Sequence, residues 1–368
     1  MWIQQLSLIR FRLFQQFSAQ FSPGINFIYG KNGSGKSSLL EAIALFGLGR
    51  SFRKTPIKGL TKVDEKQPFQ ASLTIQEQIN EPLPICEQLW VTDEGSPHQL
   101  RFRCEDGGLR SAEMVRKVPL QLLSSSSFQV LEAGPEYRRQ WLDWGCFFFS
   151  PQYARVWQHF LGILKHRNAL LRTVGTKGTS ASDQKLCAAW DQAFLKAAEA
   201  VDAIRQRYWQ YFEPAFRSAL QTFLPQFTWE LRYALGWPVA EGASSAESLE
   251  VSLKRQFWRE CSLGYTSLGP HRADLTILAN ERPAKQWLSR GQTKLLICAV
   301  LMARAQILYQ TTGRSCVLLV DDIDAELDNQ ALEKLFEGLQ GLKIQWIATS
   351  LHHTTAWPDK MNQQSIYI

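Results

Sequence analysis

The spacing of apolar residues divides the chain into regions of different secondary structure. Residues 3–14 alternate between apolar and polar positions, and residues 69–75 and 85–104 do so again, with a turn at Asp93-Glu94-Gly95. Alternation with a period of two is typical of strands with one buried face. From Gly134-Pro135 onward, apolar residues recur at helical spacing instead. The pattern therefore predicts α/β or α+β structure followed by a helical region.

Two apolar stripes predict a pair of antiparallel helices in the middle of the chain. They lie within residues 153–171 and 186–208, and residues 175–182 form a polar connection rich in Gly, Ser and Thr. Pro214 is expected to end the second helix, because proline cannot donate the helical hydrogen bond. An Ala/Ser/Glu loop is expected over residues 240–248, after a short strand-like segment.

Residues 30–37 match the complete phosphate-binding loop pattern GxxxxGK[ST]. A short apolar strand at 24–29 precedes the match and an apolar helix follows it, which is the context that this chemistry requires. Lys36 is expected to reach the β- and γ-phosphates of ATP, and the Ser37 hydroxyl is expected to ligate Mg²⁺. The predicted nucleotide contacts are Gly30, Lys31, Asn32, Gly33, Ser34, Gly35, Lys36, Ser37 and Ser38.

A second apolar strand, over residues 316–320, ends in two acids, Asp321 and Asp322. Its uninterrupted apolar run favours a strand buried on both faces of a sheet. Asp321 is predicted to hold Mg²⁺ through its water shell, together with Ser37. Asp322 is the better candidate to orient or deprotonate the attacking water, and Glu326 is the second candidate for that role.

A third segment, Leu288-Ser289-Arg290-Gly291-Gln292, precedes a long apolar helix. A helix N-terminus presents N–H groups to an anion, so Ser289, Gly291 and Gln292 are further candidates for nucleotide binding. The phosphate loop already binds the nucleotide of its own chain. The second anion site would therefore contact a γ-phosphate that is bound by another copy of the chain. The alternative is an ordinary serine N-cap.

Three further segments make a family resemblance specific. They are Gly134-Pro135-x-x-x-Arg138-Arg139-x-x-Leu142-Asp143, Leu268-Gly269-Pro270-His271-Arg272-Ala273-Asp274, and Ile323-Asp324-Ala325-Glu326-Leu327-Asp328. Together with the motifs above, they make the chain resemble the bacterial RecF family from end to end. The resemblance implies an α/β fold: an SMC-like, ABC-type ATPase head with an inserted mainly helical lobe and no long coiled coil.

The resemblance also implies the domain limits and the biological role. Residues 1–130 and 251–368 would form the two parts of the head, and residues 131–250 the helical lobe. The implied function is an ATP-dependent homodimer in the cytoplasm that binds double- and single-stranded DNA at gaps. It would be a weak, DNA-stimulated ATPase and would act with RecO and RecR to help load RecA, in replication and the SOS response. Hydrolysis is expected to be slow, because Asp322 reaches less far than the glutamate usual in such heads.

Several residues of the wider ABC pattern stay open in the sequence. The glutamine that senses Mg²⁺ is either Gln121 or Gln129, and neither His352 nor His353 can be assigned as the switch histidine. His271 is either catalytic or a structural polar residue that follows a proline.

The charge pattern favours a polyanionic partner. The net charge is +7, and no Asp or Glu occurs between residues 143 and 183. On a helix, Lys165, Asn168 and Arg172 share one face that is suited to phosphates, whereas Arg167 projects toward the apolar side and is expected to be buried and paired. A second basic cluster is an equally good candidate for the DNA path; its members are Arg50, Arg53, Lys54, Lys58 and Lys62.

Other observations weigh against rival functions. The seven cysteines are scattered without a CxxC spacing, which is typical of reduced thiols in the cytosol. The longest apolar run, residues 295–303, is too short to span a membrane and predicts a buried helix. A transporter ATPase subunit is disfavoured by the long stretch between Ser37 and Leu288. A structural SMC protein is disfavoured because two helices ending near Pro214 cannot supply a long coiled coil.

Overall fold

The computed structural model of the chain describes residues 1–77, 85–95, 98–128, 134–177, 181–242, 244–326, 329–339, 342, 344–351 and 363–368. The strands are β1 Trp2–Phe11, β2 Phe14–Gln20, β3 Ile25–Tyr29, β4 Gln70–Glu77, β5 Ile85–Asp93, β6 Leu100–Cys104, β7 Gly107–Leu109, β8 Leu120–Leu123, β9 Trp229–Ala234, β10 Asp274–Ala279, β11 Arg282–Pro283, β12 Val317–Val320, β13 Gln345–Ser350 and β14 Gln363–Tyr367. The helices are α1 Lys36–Leu48, α2 Ser111–Lys117, α3 Pro135–Phe149, α4 Tyr153–Lys177, α5 Ala181–Phe223, α6 Ser245–Leu263, α7 Ala284–Trp287, α8 Arg290–Thr312, α9 Ile323–Glu326 and α10 Asn329–Leu339.

The chain forms two compact units. Met1–Phe128 together with Lys294–Ile368 make the head unit, and Gln129–Thr293 make the helical unit. The helical unit continues past residue 250, where the sequence analysis placed the end of the helical lobe. The reason is that β10 pairs with β9 along its whole length, and α6 packs against α4 and α5.

The head unit contains two sheets that share one hydrophobic core. Antiparallel pairing joins six strands in the order β2-β1-β4-β5-β6-β7, and parallel pairing joins five in the order β14-β3-β13-β12-β8. Helix α1 contacts strands of both sheets, and its residues Ser38 to Gly47 are buried. The expected α/β class is confirmed, and no long coiled coil occurs in the part of the chain that is described.

The helical unit is built around the predicted antiparallel pair, α4 and α5. Phe160 of α4 packs on Phe194 of α5. Two turns later on α4, Arg167 pairs with Asp191, which lies about one turn earlier on α5. Contacts that advance on one helix as they retreat on the other confirm the antiparallel direction. The predicted burial of Arg167 is also confirmed, because its side chain is 1% exposed and pairs with Glu260 of α6 at 2.7 Å.

The expectation that Pro214 ends the second helix was wrong. Helix α5 continues through Pro214 to Phe223. A proline inside a helix costs about 3 kcal/mol. The aromatic rings of Tyr208, Phe212 and Phe216 stack in succession on the buried side, and burial of each large apolar side chain contributes about 1.5–3 kcal/mol. Packing on both sides of the proline therefore outweighs the lost hydrogen bond.

The loop expected over residues 240–248 was also partly wrong, because α6 begins at Ser245. Ser244 and Glu247 form a reciprocal capping box, in which the Ser244 hydroxyl accepts from the Glu247 N–H at 3.2 Å. The Ser-x-x-Glu spacing was visible in the sequence and marks this helix start.

Helix α8 is long and apolar enough to cross a membrane by length and composition. It lies mostly inside the protein, with residues Leu296 to Ala305 buried. Core helices of this kind pass the same test, and the prediction of a buried helix over residues 295–303 is confirmed.

Candidate nucleotide-binding site

The three central strands of the parallel sheet bring the predicted ATP motifs to one edge. Strand β13 lies between β3 and β12, and all three run in the same direction. Gly30 follows β3 and Asp321 follows β12, so both leave the sheet at its carboxyl edge. Neighbouring strands are spaced about 4.8 Å apart, which places the two motifs roughly 10 Å from each other, measured across β13. That gap suits a phosphate chain with a metal ion.

Glycine is required in the phosphate loop for two different reasons. Gly33 and Gly35 adopt φ values of 81° and 109°, in the left-handed region that L-residues avoid. Gly30 lies outside that region and is needed for space, since a Cβ there would lie 2.3 Å from the Ile368 carbonyl oxygen. At Gly35 a Cβ would also lie 2.5 Å from Phe14. The loop is therefore held against the sheet by close packing.

The Lys36 ammonium lies over its own loop. Its Nζ donates to the carbonyl oxygens of Gly30 at 2.6 Å and Lys31 at 3.0 Å. A cation held at this position faces any anion that enters the loop. The first turn of α1 contains no acidic residue, so the positive end of the helix is not neutralised by its own sequence.

The serines of the loop are partly enclosed. Ser38 is buried, Ser37 is half-buried, and the Ser34 hydroxyl is buried without a hydrogen-bond partner among the described residues. An orphaned buried hydroxyl in a loop of N–H groups fits a polar ligand. Lys31 and Asn32 are exposed at the loop tip. The predicted contacts from Gly30 to Ser38 thus run from the end of β3 into the first turn of α1.

The two acids after β12 are held by one threonine of β13. The Thr349 hydroxyl accepts from the Asp322 N–H at 2.7 Å and donates to Asp321 Oδ1 at 3.0 Å. Asp322 is exposed and has a φ of 59°, a strained conformation for a residue with a side chain. Thr349 is 1% exposed, and the sequence analysis assigned it no role. Its sequence signal is weak: the apolar run Trp346 to Ala348 gives way to the polar pair Thr349-Ser350.

The residues present fit a magnesium ion held mainly by the nucleotide. The Ser37 hydroxyl and the Asp321 carboxylate are oxygen donors of the kind that Mg²⁺ prefers. Within the described ranges, no group of three or more acidic, histidine or cysteine side chains converges on a metal position. The protein would therefore supply only part of the coordination shell, and phosphate oxygens and water the rest.

Glu326 is a weaker candidate for the catalytic carboxylate than Asp322. It is buried, and its Oε2 lies 3.6 Å from Lys294 Nζ, which also donates to the Ala325 carbonyl at 2.7 Å. Burial raises the pKa of Glu326, and Lys294 opposes that shift. Asp324 is likewise engaged, because its Oδ2 accepts from the Ser350 hydroxyl at 2.7 Å. Asp322 is exposed and directly follows Asp321, so it stays the first candidate for the catalytic carboxylate.

The side chain of Gln121, one candidate for the magnesium sensor, is engaged inside the protein. Gln121 lies within β8, and its side-chain amide is buried and donates to the Leu301 carbonyl at 3.0 Å. The other open assignments, Gln129, His352 and His353, lie outside the described residues, as do residues 327–328 of the predicted D-loop.

Ser289 forms the N-cap of α8. Its hydroxyl accepts from the Gln292 N–H at 3.3 Å, and the Gln292 side chain accepts from the Ser289 N–H at 2.9 Å. This reciprocal pair is a capping box. A Cβ at the exposed Gly291 would meet no atom within 4 Å. The cap and the anion-site interpretations are compatible, because the open helix end remains accessible to an anion.

Comparison with known proteins places this site in a family. A model of the RecF/RecN/SMC N terminal domain matches residues 2–364. The DNA replication and repair protein RecF of Vibrio parahaemolyticus is 34% identical over 350 residues, which cover 95% of this chain and 92% of the relative. The chain belongs to the RecF family. The RecF of Proteus mirabilis is also 34% identical, over 351 residues with the same coverage.

Solved structures show the same fold. The recombination mediator protein RecF-ATPrS in the RecFOR pathway matches with a TM-score of 0.84 and 23% identity, over 97% of this chain and 94% of that chain. An Smc head bound to the C-winged helix domain of ScpA matches with a TM-score of 0.54 and 15% identity, over 96% and 90%. The predicted ABC-type head fold of the SMC and RecF kind is thereby confirmed.

Two of the segments that suggested the RecF family contact each other in the helical unit. Arg139 Nη1 donates to the Ala273 carbonyl at 2.7 Å. Arg205, 0% exposed, donates to Asp143 at 2.9 Å and to the Pro270 carbonyl at 2.6 Å. These RecF-family segments therefore build the inside of the helical unit, a role that sequence spacing did not indicate.

His271 has the environment of a structural residue. Its Nε2 hydrogen-bonds the Thr266 carbonyl at 3.0 Å, and its ring packs against Phe160 and Phe194. Burial lowers the pKa of His271 to about 4, which keeps the imidazole neutral. The geometry supports the structural alternative.

Of the three predicted DNA contacts on α4, two are exposed and one is half-buried. Lys165 and Arg172 are exposed. Asn168 is half-buried, and its Oδ1 accepts from the Thr266 N–H at 2.8 Å and the Thr266 hydroxyl at 2.7 Å. Asn168 therefore anchors a neighbouring loop, contrary to the expectation that it contacts phosphates.

The second basic cluster is fixed to the helix that follows the phosphate loop. Arg53 and Lys54 are exposed in the turn after α1, and the Ser51 hydroxyl accepts from the Arg53 N–H at 3.1 Å. The same hydroxyl donates to Glu41, a buried residue of α1 that Arg12 pairs at 2.7 Å. The basic turn is thus connected to α1 through the Ser51 hydroxyl.

Proposed function

We propose that the chain is an ATP-switched DNA clamp of recombinational repair. Two copies would close around ATP, bind DNA at gaps, and open after hydrolysis. The observation that carries the proposal is the meeting of the phosphate loop and the Asp321–Asp322 pair at one edge of a parallel sheet. The RecF name of the relatives, replication and repair proteins, supports the setting.

Each residue has a stated role in the proposed reaction. The N–H groups of the loop and the start of α1 bind the β-phosphate, and Lys36 neutralises charge between the β- and γ-phosphates. Ser37 and Asp321 would hold Mg²⁺, which would offset the negative charge of the phosphates. Asp322 orients the attacking water. Its short side chain favours slow turnover, which suits a switch that must stay closed for some time.

The proposed dimer follows from the second anion site. Ser289, Gly291 and Gln292 lie at an exposed helix N-terminus. In a two-fold arrangement each copy would offer this end to the γ-phosphate bound by the other, so ATP would act as the bridge. Loss of the γ-phosphate on hydrolysis then removes the bridge and opens the dimer.

DNA binding is proposed to use exposed basic residues from both copies. Lys165 and Arg172 form one candidate path, and Arg53 and Lys54 form the other. Both would contact phosphates and carry no base specificity. The structural neighbour is named as a protein of the RecFOR pathway, which supports action with RecO and RecR. RecA loading, a role in the SOS response and a cytoplasmic location belong to the same proposal.

The test is sedimentation velocity of the full chain with and without ATP and Mg²⁺, followed by DNA binding. ATP should produce a dimer in the parent, and Ser289→Arg should bind nucleotide yet remain a monomer, because the added side chain blocks the helix end. Dimerisation of Ser289→Arg to the same extent as the parent would contradict the proposed interface.

DNA binding is measured by fluorescence anisotropy of two unrelated duplexes across a salt series. Affinity should rise with ATP, depend little on sequence, and fall on the order of a thousandfold from low to moderate salt if about six phosphates are contacted. Replacement of both Lys165 and Arg172 should reduce the salt slope by about two. An unchanged salt slope would favour Arg53 and Lys54 as the DNA contacts. A DNA affinity that is the same with and without ATP would contradict the clamp.

A further inference from the structure

An exposed tyrosine lies in the loop that follows α6. Tyr265 is 40% exposed, and the Arg272 guanidinium carbon lies 5.3 Å from the centre of its ring. Single exposed aromatic rings are common on protein surfaces, so the surroundings of this one decide its meaning. This ring combines an exposed surface with a cation held against it.

The loop holds Tyr265 beside the basic face of α4. A Cβ at Gly264 would lie 2.8 Å from Arg172 Cγ, so the residue before Tyr265 touches the stem of Arg172. The residue after it, Thr266, donates through its N–H to Asn168 at 2.8 Å. Arg172 and Asn168 are one helical turn apart. Two contacts with adjacent turns of α4 therefore fix Tyr265 next to Arg172.

The same loop is also tied to the interior, so the ring is presented on a rigid support. The Thr266 hydroxyl accepts from Arg167 at 2.7 Å, and the Ser267 N–H donates to Glu260 at 2.6 Å. A base that stacks on Tyr265 would not have to order the loop first, which lowers the entropy cost of binding.

Positive charge surrounds this ring. Arg172 and Arg272 are exposed, as is Lys165 two turns earlier on α4. The sequence has no Asp or Glu over residues 261–273 or over residues 144–182. The acids that border the loop, Glu260 and Asp274, are paired with Arg167 and Arg138. These two segments therefore bring more positive than negative charge to the surface around the ring.

We propose that Tyr265, Arg272 and Arg172 form a binding site for single-stranded DNA, in which an unpaired base stacks on the exposed part of the Tyr265 ring. The arginines contact the flanking phosphates. Positively charged side chains bind the phosphates of duplex and single-stranded DNA alike. An aromatic ring can stack only on a base whose face is not already covered by its neighbours in a duplex. The inference rests on the proposed DNA-binding function and assigns the single-stranded part of a gap to this loop.

The experiment compares Tyr265→Ala with the parent by fluorescence anisotropy, with a labelled twenty-nucleotide thymidine strand and a labelled duplex as separate probes. Removal of one stacking platform should weaken single-strand binding about 5- to 150-fold and leave duplex affinity within about twofold. Tyr265→Phe should bind like the parent because it keeps the ring. Tyr211→Ala removes another half-exposed tyrosine of the helical unit, on α5, and should leave both probes unchanged.

A second measurement needs no variant. A strand with 5-iodouracil in place of thymine should crosslink on irradiation to Tyr265, as identified by mass spectrometry of the digested protein. Equal single-strand affinity of Tyr265→Ala and the parent, or an equal loss for both probes, would overturn the stacking site while leaving the clamp intact. A parent protein that binds neither probe would overturn the proposed function itself.

Discussion

The guanidinium of Arg138 pairs with both carboxylate oxygens of Asp274, at 2.8 and 2.9 Å, between residues 136 positions apart. Arg138 lies in the first turns of α3, and Asp274 is the first residue of β10. The neighbouring Arg139 reaches the Ala273 carbonyl. These hydrogen bonds thus join two of the segments that resemble RecF-family motifs. Their role is to stabilise the helical unit.

Arg138→Ala should lower the free energy of unfolding by about 2 kcal/mol, because it leaves a partly buried carboxylate without its bidentate partner. Arg138→Lys should recover only part of the loss, since an ammonium cannot form both hydrogen bonds. Urea unfolding measures both variants, and a double-mutant cycle with Asp274→Ala should show coupling of about 1–3 kcal/mol. Arg101→Ala, which breaks an exposed pair with Glu94, is the control and should change stability by less than about 1 kcal/mol. A loss of stability in Arg138→Ala no larger than in Arg101→Ala would show that the Arg138–Asp274 pair contributes no more than an exposed ion pair.

The phosphate loop and the acidic pair should separate binding from hydrolysis. Lys36→Ala should weaken ATP binding about 10- to 100-fold, because a charge-assisted contact to phosphate contributes about 1.5–3 kcal/mol. Asp322→Asn should bind ATP normally and turn over on the order of a hundredfold slower or more, which would leave a dimer trapped with ATP. Equilibrium binding of a fluorescent ATP analogue and phosphate release measure the two effects. Lys66→Ala changes an exposed lysine of the head unit and is the control, expected to bind and turn over ATP like the parent. Normal turnover in Asp322→Asn would contradict the role of Asp322, and Glu326 would then be tested in the same way.

Thr349 is expected to tune hydrolysis through the acids that it holds. Thr349→Val keeps the shape but removes the hydroxyl, which leaves the Asp322 N–H and one Asp321 oxygen without their partner. Turnover should fall about tenfold, corresponding to about 1.4 kcal/mol, while ATP affinity changes little. Thr349→Ser retains the hydroxyl and should stay near the parent. A loss of turnover in the serine variant as large as in the valine variant would mean that packing, and not the hydrogen bond, matters at this position.

The sequence predicted those parts of the site that depend on neighbours in the chain. The phosphate loop, the strand before it and the helix after it are encoded within residues 24–45, so spacing alone located them. Thr349 and Arg138 could not be assigned in this way, because their partners lie on strands or helices that only the fold brings near. The expectation at Pro214 failed for a related reason: the local cost of the proline can be read from the sequence, whereas the burial of Phe212 and Phe216 that offsets it depends on the whole fold.

The neutral state of His271 makes the stability of the helical unit depend on pH. In the unfolded chain the imidazole has its ordinary pKa of 6.5, whereas burial lowers the folded pKa to about 4. Below pH 6.5 the unfolded chain therefore binds a proton that the folded chain does not, and the free energy of unfolding falls as the pH falls toward 4. The shift corresponds to a loss of up to about 3 kcal/mol, complete once the pH is below both values.

His271→Gln should remove this contribution, because the glutamine amide can donate to the Thr266 carbonyl and does not titrate. Urea unfolding at pH 7.5, 6, 5 and 4.5 measures the difference in stability between parent and variant, which cancels the titration of carboxylates common to both. The difference should be largest in favour of the parent at pH 7.5 and should shrink or reverse by pH 4.5. His159→Gln, at an exposed position of α4, should follow the parent at every pH. A parent and a His271→Gln variant that lose stability in parallel would show that the pKa of His271 is the same in the folded and unfolded chains, and that its burial does not control the pH response.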